Sequence, residues 1–160
     1  MVEAREFAAA LIGGKNVSPE TIAWVHERTG AALFLAHEDG RLTGIWAAVL
    51  LTQAGVQACM TDTFNALDPD SSHVVEKGEE PAGVYAWAVA GSTKESARRV
   101  VAAGANLYQN PLAHLPYFTR PVTPAGLRLV IERFNFQAVP GSTTGLAWMP
   151  PHGVRTEKAA

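Results

Sequence analysis

The stretch from Gly83 to Arg99 reads Gly-Val-Tyr-Ala-Trp-Ala-Val-Ala-Gly-Ser-Thr-Lys-Glu-Ser-Ala-Arg-Arg, an apolar aromatic run that stops at Gly91 where a helix begins. Val84 to Ala90 is bulky, aromatic and uncharged, as a buried central strand requires, and Gly91 lets the chain turn without a Cβ penalty. Ser92 is the expected N-cap. Its side chain would accept from the Glu95 N–H while Glu95 reaches back, a capping box, and Arg98 and Arg99 continue a helix rich in Ala and Val. A strand feeding a helix N-terminus also suits an anion: free N–H groups at Thr93 and Lys94, the helix dipole and the Lys94 ammonium can together hold a phosphate. Most strand–turn–helix junctions are only connections, so this one holds an anion only if a ligand can reach it.

Composition narrows the classes around this stretch. At 160 residues the chain suits one well-buried domain, over 1–150, followed by a loose tail over 151–160. Hydrophobic residues make up 48% and charged residues 18%, with a formal net charge of -2 that supplies no field for collecting nucleic acid or anionic lipid. One cysteine, Cys59, allows neither an intrachain disulfide nor a thiolate metal cluster. The opening Met-Val-Glu-Ala-Arg-Glu has no basic segment leading an apolar core, and no apolar run is long enough to span a bilayer; a cytoplasmic protein is the expectation.

Upstream of the central strand, Val2 to Ile12 fits an Ala-rich helix, or a helix preceded by a short strand; helix is favoured. Ser18-Pro19-Glu20 starts a helix with Ser at the N-cap, Pro at the first position and acid in the first turn, and Gly30 stops it. His26 lies within this helix with no partner at catalytic spacing. Ala31 to Ala36 and Gly44 to Thr52 form two apolar strands paired through an Asp39-Gly40 hairpin turn, the second apolar enough to be covered on both faces. Gln53 to Met60 either extends the hairpin or starts a turn. Thr61 to Pro81 is the most polar stretch and reads as an excursion over the sheet. Asp62, Asp68, Asp70 and His73 have the wrong spacing for a calcium loop or a zinc helix, and no metal site is expected.

Downstream, Leu115 to Arg120 is a short strand, and Thr123-Pro124 caps a helix that runs to Arg133 with Leu127, Val130, Ile131 and Phe134 at core spacing. Phe136 to Val139 and Thr144 to Met149 are the closing strands. The result is an α/β (α+β) chain with a mixed, mostly antiparallel central sheet flanked by helices.

This order resembles the GNAT superfamily of acyl-CoA N-acyltransferases, whose mixed sheet splays between its fourth and fifth strands. Gly126-Leu127-Arg128 followed by Glu132-Arg133-Phe134-Asn135-Phe136 looks like the family's last helix and its Gly-Phe ending, with Asn135, which tolerates the same left-handed backbone, in place of Gly. Tyr85 to Ala90 resembles the fourth strand. The resemblance implies that the backbone around Val89 and Ala90 pairs with the pantetheine arm of acetyl-CoA or another acyl-CoA, with Gly91, Ser92, Thr93 and Lys94 at its pyrophosphate. Two features depart from the family. Its Gly-rich pyrophosphate loop is shortened here, because the chain passes from Ala90 through Gly91-Ser92-Thr93 straight into helix, and Ile131 and Glu132 stand where many relatives carry a tyrosine that protonates the leaving thiolate.

The resemblance implies transfer of an acyl group from CoA to an unidentified amine, with Tyr85 on the cleft strand and Asp62 in the preceding loop as candidate catalytic residues. It also implies a homodimer. The alternative is a GNAT-fold protein that has lost acyl transfer and serves as a binding or interaction module. Trp24, Trp46, Trp87 and Trp148 with the low charge suggest a third class, an apolar interface module, although tryptophans of this kind are most often core.

Overall fold

The computed structural model describes residues 17–109 and 112–151, together with Glu6. The expected helix from Val2 to Ile12 therefore falls, apart from Glu6, outside the described residues, as does the tail beyond Pro151. Helix α1, Pro19–Thr29, starts as its sequence dictates: the Ser18 hydroxyl accepts from the Thr21 N–H at 3.1 Å, and Gly30 closes it with φ of 73°. Strands β1, Leu33–Glu38, and β2, Arg41–Leu51, pair antiparallel across Asp39 and Gly40, both left-handed, the backbone that a two-residue hairpin requires. Gln53–Met60 is a helix, α2, whose N-cap Thr52 accepts from the Gly55 N–H.

The polar excursion is tied back to the sheet along its length. The Val75 N–H donates to Leu50 O at 3.1 Å and the Thr52 N–H to His73 O at 3.0 Å, while Phe64, Val74 and Val75 are buried. Strand β3, Gly83–Gly91, pairs antiparallel with β2, and Trp87 is the extra residue of a β-bulge, since Ala47 faces Ala88 while Ala48 faces Ala86. Helix α3, Lys94–Gln109, crosses the sheet on one face, where Ser96, Val100 and Gly104, at successive fourth positions, meet it. A Cβ on Gly104 would lie 2.7 Å from Trp46 Nε1, and one on Gly44 2.8 Å from Val100, so small residues set how closely this helix sits.

Strand β4, Tyr117–Thr119, runs parallel to β3; helix α4, Pro124–Arg128, capped by Thr123, continues through a π-helical turn, Leu129–Arg133; β5, Gln137–Ala138, and β6, Ala147–Met149, complete the sheet in the order β1-β2-β3-β4-β6-β5. The chain is thus α+β, with a six-stranded mixed sheet, antiparallel except at β3/β4, and four α-helices among the described residues. The helical run ends at Asn135, left-handed with φ of 55°, and the Phe136 N–H bonds back to Val130 O, one residue further than a standard closing bond, as the wider turn demands.

Each face of the sheet carries its own core. Val25, Val49, Leu51, Cys59, Phe64, Tyr85 and Phe118 pack together under α1 and α2, and Trp46, Val84, Val100, Tyr117 and Phe136 pack under α3. All four tryptophans join these clusters, Trp46 buried and Trp24, Trp87 and Trp148 partly so.

Candidate functional site

The two parallel strands part where the central sheet opens. Pairing of β3 with β4 covers Val84–Tyr117, Tyr85–Phe118 and Ala86–Thr119 and then stops, while β3 continues to Gly91 and the chain after Thr119 turns away through Arg120 and Pro121. The Thr119 hydroxyl donates to Ala86 O at 3.1 Å and closes the base of this fork. Beyond it the free edge of β3 follows from ladder geometry. The Ser92 N–H donates to Thr43 O at 2.8 Å, so alternation along the antiparallel pair turns the backbone groups of Gly91 and Val89 away from β2 and into the opening. Before the bulge the even-numbered residues face β4, as the Val84 N–H to Pro116 O bond does; after it the odd-numbered ones do.

The start of α3 differs from the sequence expectation. Thr93, not Ser92, is the cap: its hydroxyl accepts from the Ser96 N–H at 3.0 Å, and its own N–H donates to Ser96 Oγ at 3.0 Å. Ser92 is held by Thr43 O, through its N–H and its hydroxyl, so the sheet edge has claimed it. Glu95 lies beside Arg99 at 3.4 Å instead of reaching back. One of the N–H groups expected to be free for an anion, that of Thr93, is thus satisfied within the helix. Gly91 is also needed for a different reason than turning. Its φ is not left-handed, but a Cβ there would lie 2.3 Å from Ala97 N.

Tyr85 sits one rung inside the fork, on the α2 face. It is buried against Phe64, ring centroids 5.0 Å apart, and burial pushes its hydroxyl up to about 12, opposed by the Arg120 charge. Burial likewise pushes the Cys59 thiol up to about 12. Both groups stay neutral at neutral pH. Asp62, left-handed with φ of 58°, accepts from the Thr144 hydroxyl and from the N–H groups of Thr143, at 2.9 Å, and Thr144, at 3.2 Å. These hydrogen bonds, the Thr144 hydroxyl foremost, hold its carboxyl below the usual range. Asp62 therefore ties the loop before β6 to the end of α2. Asp70 is similarly occupied, capping the short 3₁₀ turn Ser71–His73. Among the described residues no three His, Cys, Asp or Glu side chains converge as a metal would need, and no helix is long and apolar enough to cross a membrane.

Sequence reasoning missed the other wall of the opening. The fork holds a small cavity of about 90 Å³ between Trp87, Val89, Thr119 and Val130. It shares Ala86, Val89, Thr119, Leu129 and Val130 with an apolar cavity of about 80 Å³ under α3. That cavity in turn shares Val101, Ala105, Leu129 and Phe134 with an open groove of about 910 Å³ between α3 and the last helix. Lys94, Arg98 and Arg133 line this outer groove, so a cationic mouth leads through a mostly apolar neck to Val89 on β3. The i, i+4 spacing of Lys94 and Arg98 was a usable signal; the position of Arg133 opposite them was not, because it depends on how the two helices pack. Compared with protein-family models, with curated proteins and with solved structures, the chain has no match.

Proposed function

We propose that this chain is an acyl-CoA-dependent N-acyltransferase of GNAT-like fold, with β3 and β4 in the places of the family's fourth and fifth strands. The observation that carries the proposal is the parting of β3 and β4 after Ala86 and Thr119 at the inner end of a groove whose mouth is cationic. The residues present suit an acyl-CoA. Lys94, Arg98 and Arg133 offer charge for the phosphates, the neck is mostly apolar, and the backbone groups of Val89 and Gly91 on the free edge of β3 suit the amides of a pantetheine arm as a further strand would. The shortened loop leaves less than a full cradle. With the Thr93 N–H already used, the anion would rely on side-chain cations more than on helix N–H groups.

An acyl-CoA supplies an activated acyl group: the amine nitrogen bonds to the carbonyl carbon, the carbon–sulfur bond breaks, and the amine's proton leaves with the thiol. The chain's part is to hold the donor along β3, exclude water from the neck and direct backbone N–H groups at the carbonyl. Burial keeps Tyr85 in its neutral, proton-donating form, and the hydrogen bonds on Asp62 lower its basicity, so neither is well matched to taking the amine's proton near neutral pH. The same fact supports the second reading, a GNAT-fold module that binds CoA without turning it over. Thermal unfolding with acetyl-CoA and CoA tests binding. A ligand at a hundred times its Kd adds about 2.7 kcal/mol to the folded state, a rise of roughly 5–10 °C at this size. No rise at millimolar ligand would remove the proposal, and a rise without thiol release over a panel of amines would select the binding module.

A further inference from the structure

Arg120 follows Thr119 directly and lines the fork cavity. Its charge bears on Asp62, Tyr85 and Cys59, so it lies on the α2 face of the opening, across the sheet from the cationic groove. Among the described residues the guanidinium donates no hydrogen bond, and its Nε is buried with no partner. The nearest anion, an oxygen of Asp62, stands 3.6 Å from one terminal nitrogen, outside hydrogen-bond reach, and the Asp62 oxygens are already taken by Thr143 and Thr144. A guanidinium stays charged at every accessible pH, and buried donors are almost always satisfied. The terminal nitrogens are partly open to solvent and share only this long ion pair among the described residues, so a guanidinium lining a cavity, with its Nε unmatched by the protein, suits an anionic ligand.

Resting on the acyl-transfer proposal, we infer that the acceptor is a primary amine carrying a carboxylate, an amino-acid-like molecule, and that Arg120 binds that carboxylate. Charge selects a monoanion. Asp62 close by repels a phosphate dianion more strongly than a carboxylate, and a cavity of about 90 Å³ admits only a small group. Position supplies the rest. Arg120 stands one residue past the base of the fork, so a carboxylate on it leaves the attached amine at the parting strands, approached from the face opposite the acyl donor. Trp87 and Val122 give the remaining wall an apolar lining for the ligand's carbon skeleton.

The test titrates three matched pairs into the purified protein without CoA: L-phenylalanine with phenethylamine, L-histidine with histamine, and L-lysine with cadaverine. Binding is followed by thermal unfolding and by tryptophan fluorescence. At least one carboxylated member binds about 10- to 100-fold tighter than its decarboxylated partner, the range expected of a charged hydrogen-bonded pair. Arg120→Gln abolishes that gap. Asp62→Asn, which removes the same ion pair from its other side, keeps or widens it, whereas a merely structural Arg120 would make the two variants alike. Should Arg120→Gln fail to fold, Arg120→Lys narrows the gap by about threefold or more, because it keeps the charge and loses the planar donor pair. Equal binding within every pair, no binding by any, or a gap that survives replacement of Arg120 overturns the inference. Failure of the acyl-transfer proposal appears separately, in the acetyl-CoA titration.

Discussion

Replacing Gly91 with alanine puts a methyl group where a Cβ would lie 2.3 Å from Ala97 N, 2.5 Å from Ala97 Cα and 2.8 Å from Ser96 C. All three are backbone atoms of the first turns of α3, so no side chain can rotate out of the way. Ordinary contact needs roughly 3.5 Å, so the helix start must withdraw by about 1 Å. Overpacking of this kind costs about 1–3 kcal/mol, offset by about 0.4–1 kcal/mol from the stiffer unfolded chain, which leaves a net loss of about 1–2 kcal/mol. For a chain of this size the Tm falls by about 2–8 °C. The same withdrawal moves Lys94 and Arg98, which stand on those turns, and lowers acetyl-CoA affinity beyond the stability loss. Thermal and urea unfolding followed by circular dichroism measure the first effect. A Tm equal to or above that of the parent would refute the claim that Gly91 is required by close approach of the helix.

Phe118→Ala empties the largest fully buried side chain and costs about 3–5 kcal/mol by urea unfolding; a loss under 1 kcal/mol would mean that this part of the sheet is not core. Asp62→Ala removes the acceptor that holds Thr143 and Thr144. A carboxyl depressed in the fold stabilises above its unfolded value and loses that contribution as pH falls through its folded value, so the Tm gap between parent and variant closes only in acid; a constant gap would show that the ionised form is not what matters. Tyr85 has the opposite signature. Its hydroxyl is raised to about 12, so the unfolded chain ionises first and stability falls as pH climbs from about 10 towards 12, a decline that Tyr85→Phe removes.

Much of the frame was legible because it rests on local chemistry. Ser18-Pro19 and Thr123-Pro124 cap helices wherever they stand, Asp39-Gly40 makes one kind of hairpin, and Asn135 took the left-handed backbone expected of it. What failed to show was decided by tertiary contacts. Ser92 and Thr93 are equally good caps on paper, and the Thr43 carbonyl at the sheet edge chose between them. Gln53–Met60 alternates like a strand, yet it folds as a helix whose Gly55 fits beneath His73 O, where a Cβ would come within 2.4 Å. The bulge at Trp87 leaves no mark in the sequence, although it decides which backbone groups face the fork. Arg98, Arg120 and Arg133 come together with the fork only when α3, β4 and the last helix have packed, and their separation in sequence, in or beside three different elements, hides this.

Proton–nitrogen correlation spectra recorded during an acetyl-CoA titration test the central claim most directly, because they report each backbone N–H separately. The account predicts saturable shifts at Val89 and Gly91 along the free edge of β3 and at Lys94 and Arg98 at the groove mouth, with residues of β1 and α1 unmoved. Spectra unchanged at millimolar acetyl-CoA, or shifts confined to residues away from the fork and groove, would contradict it.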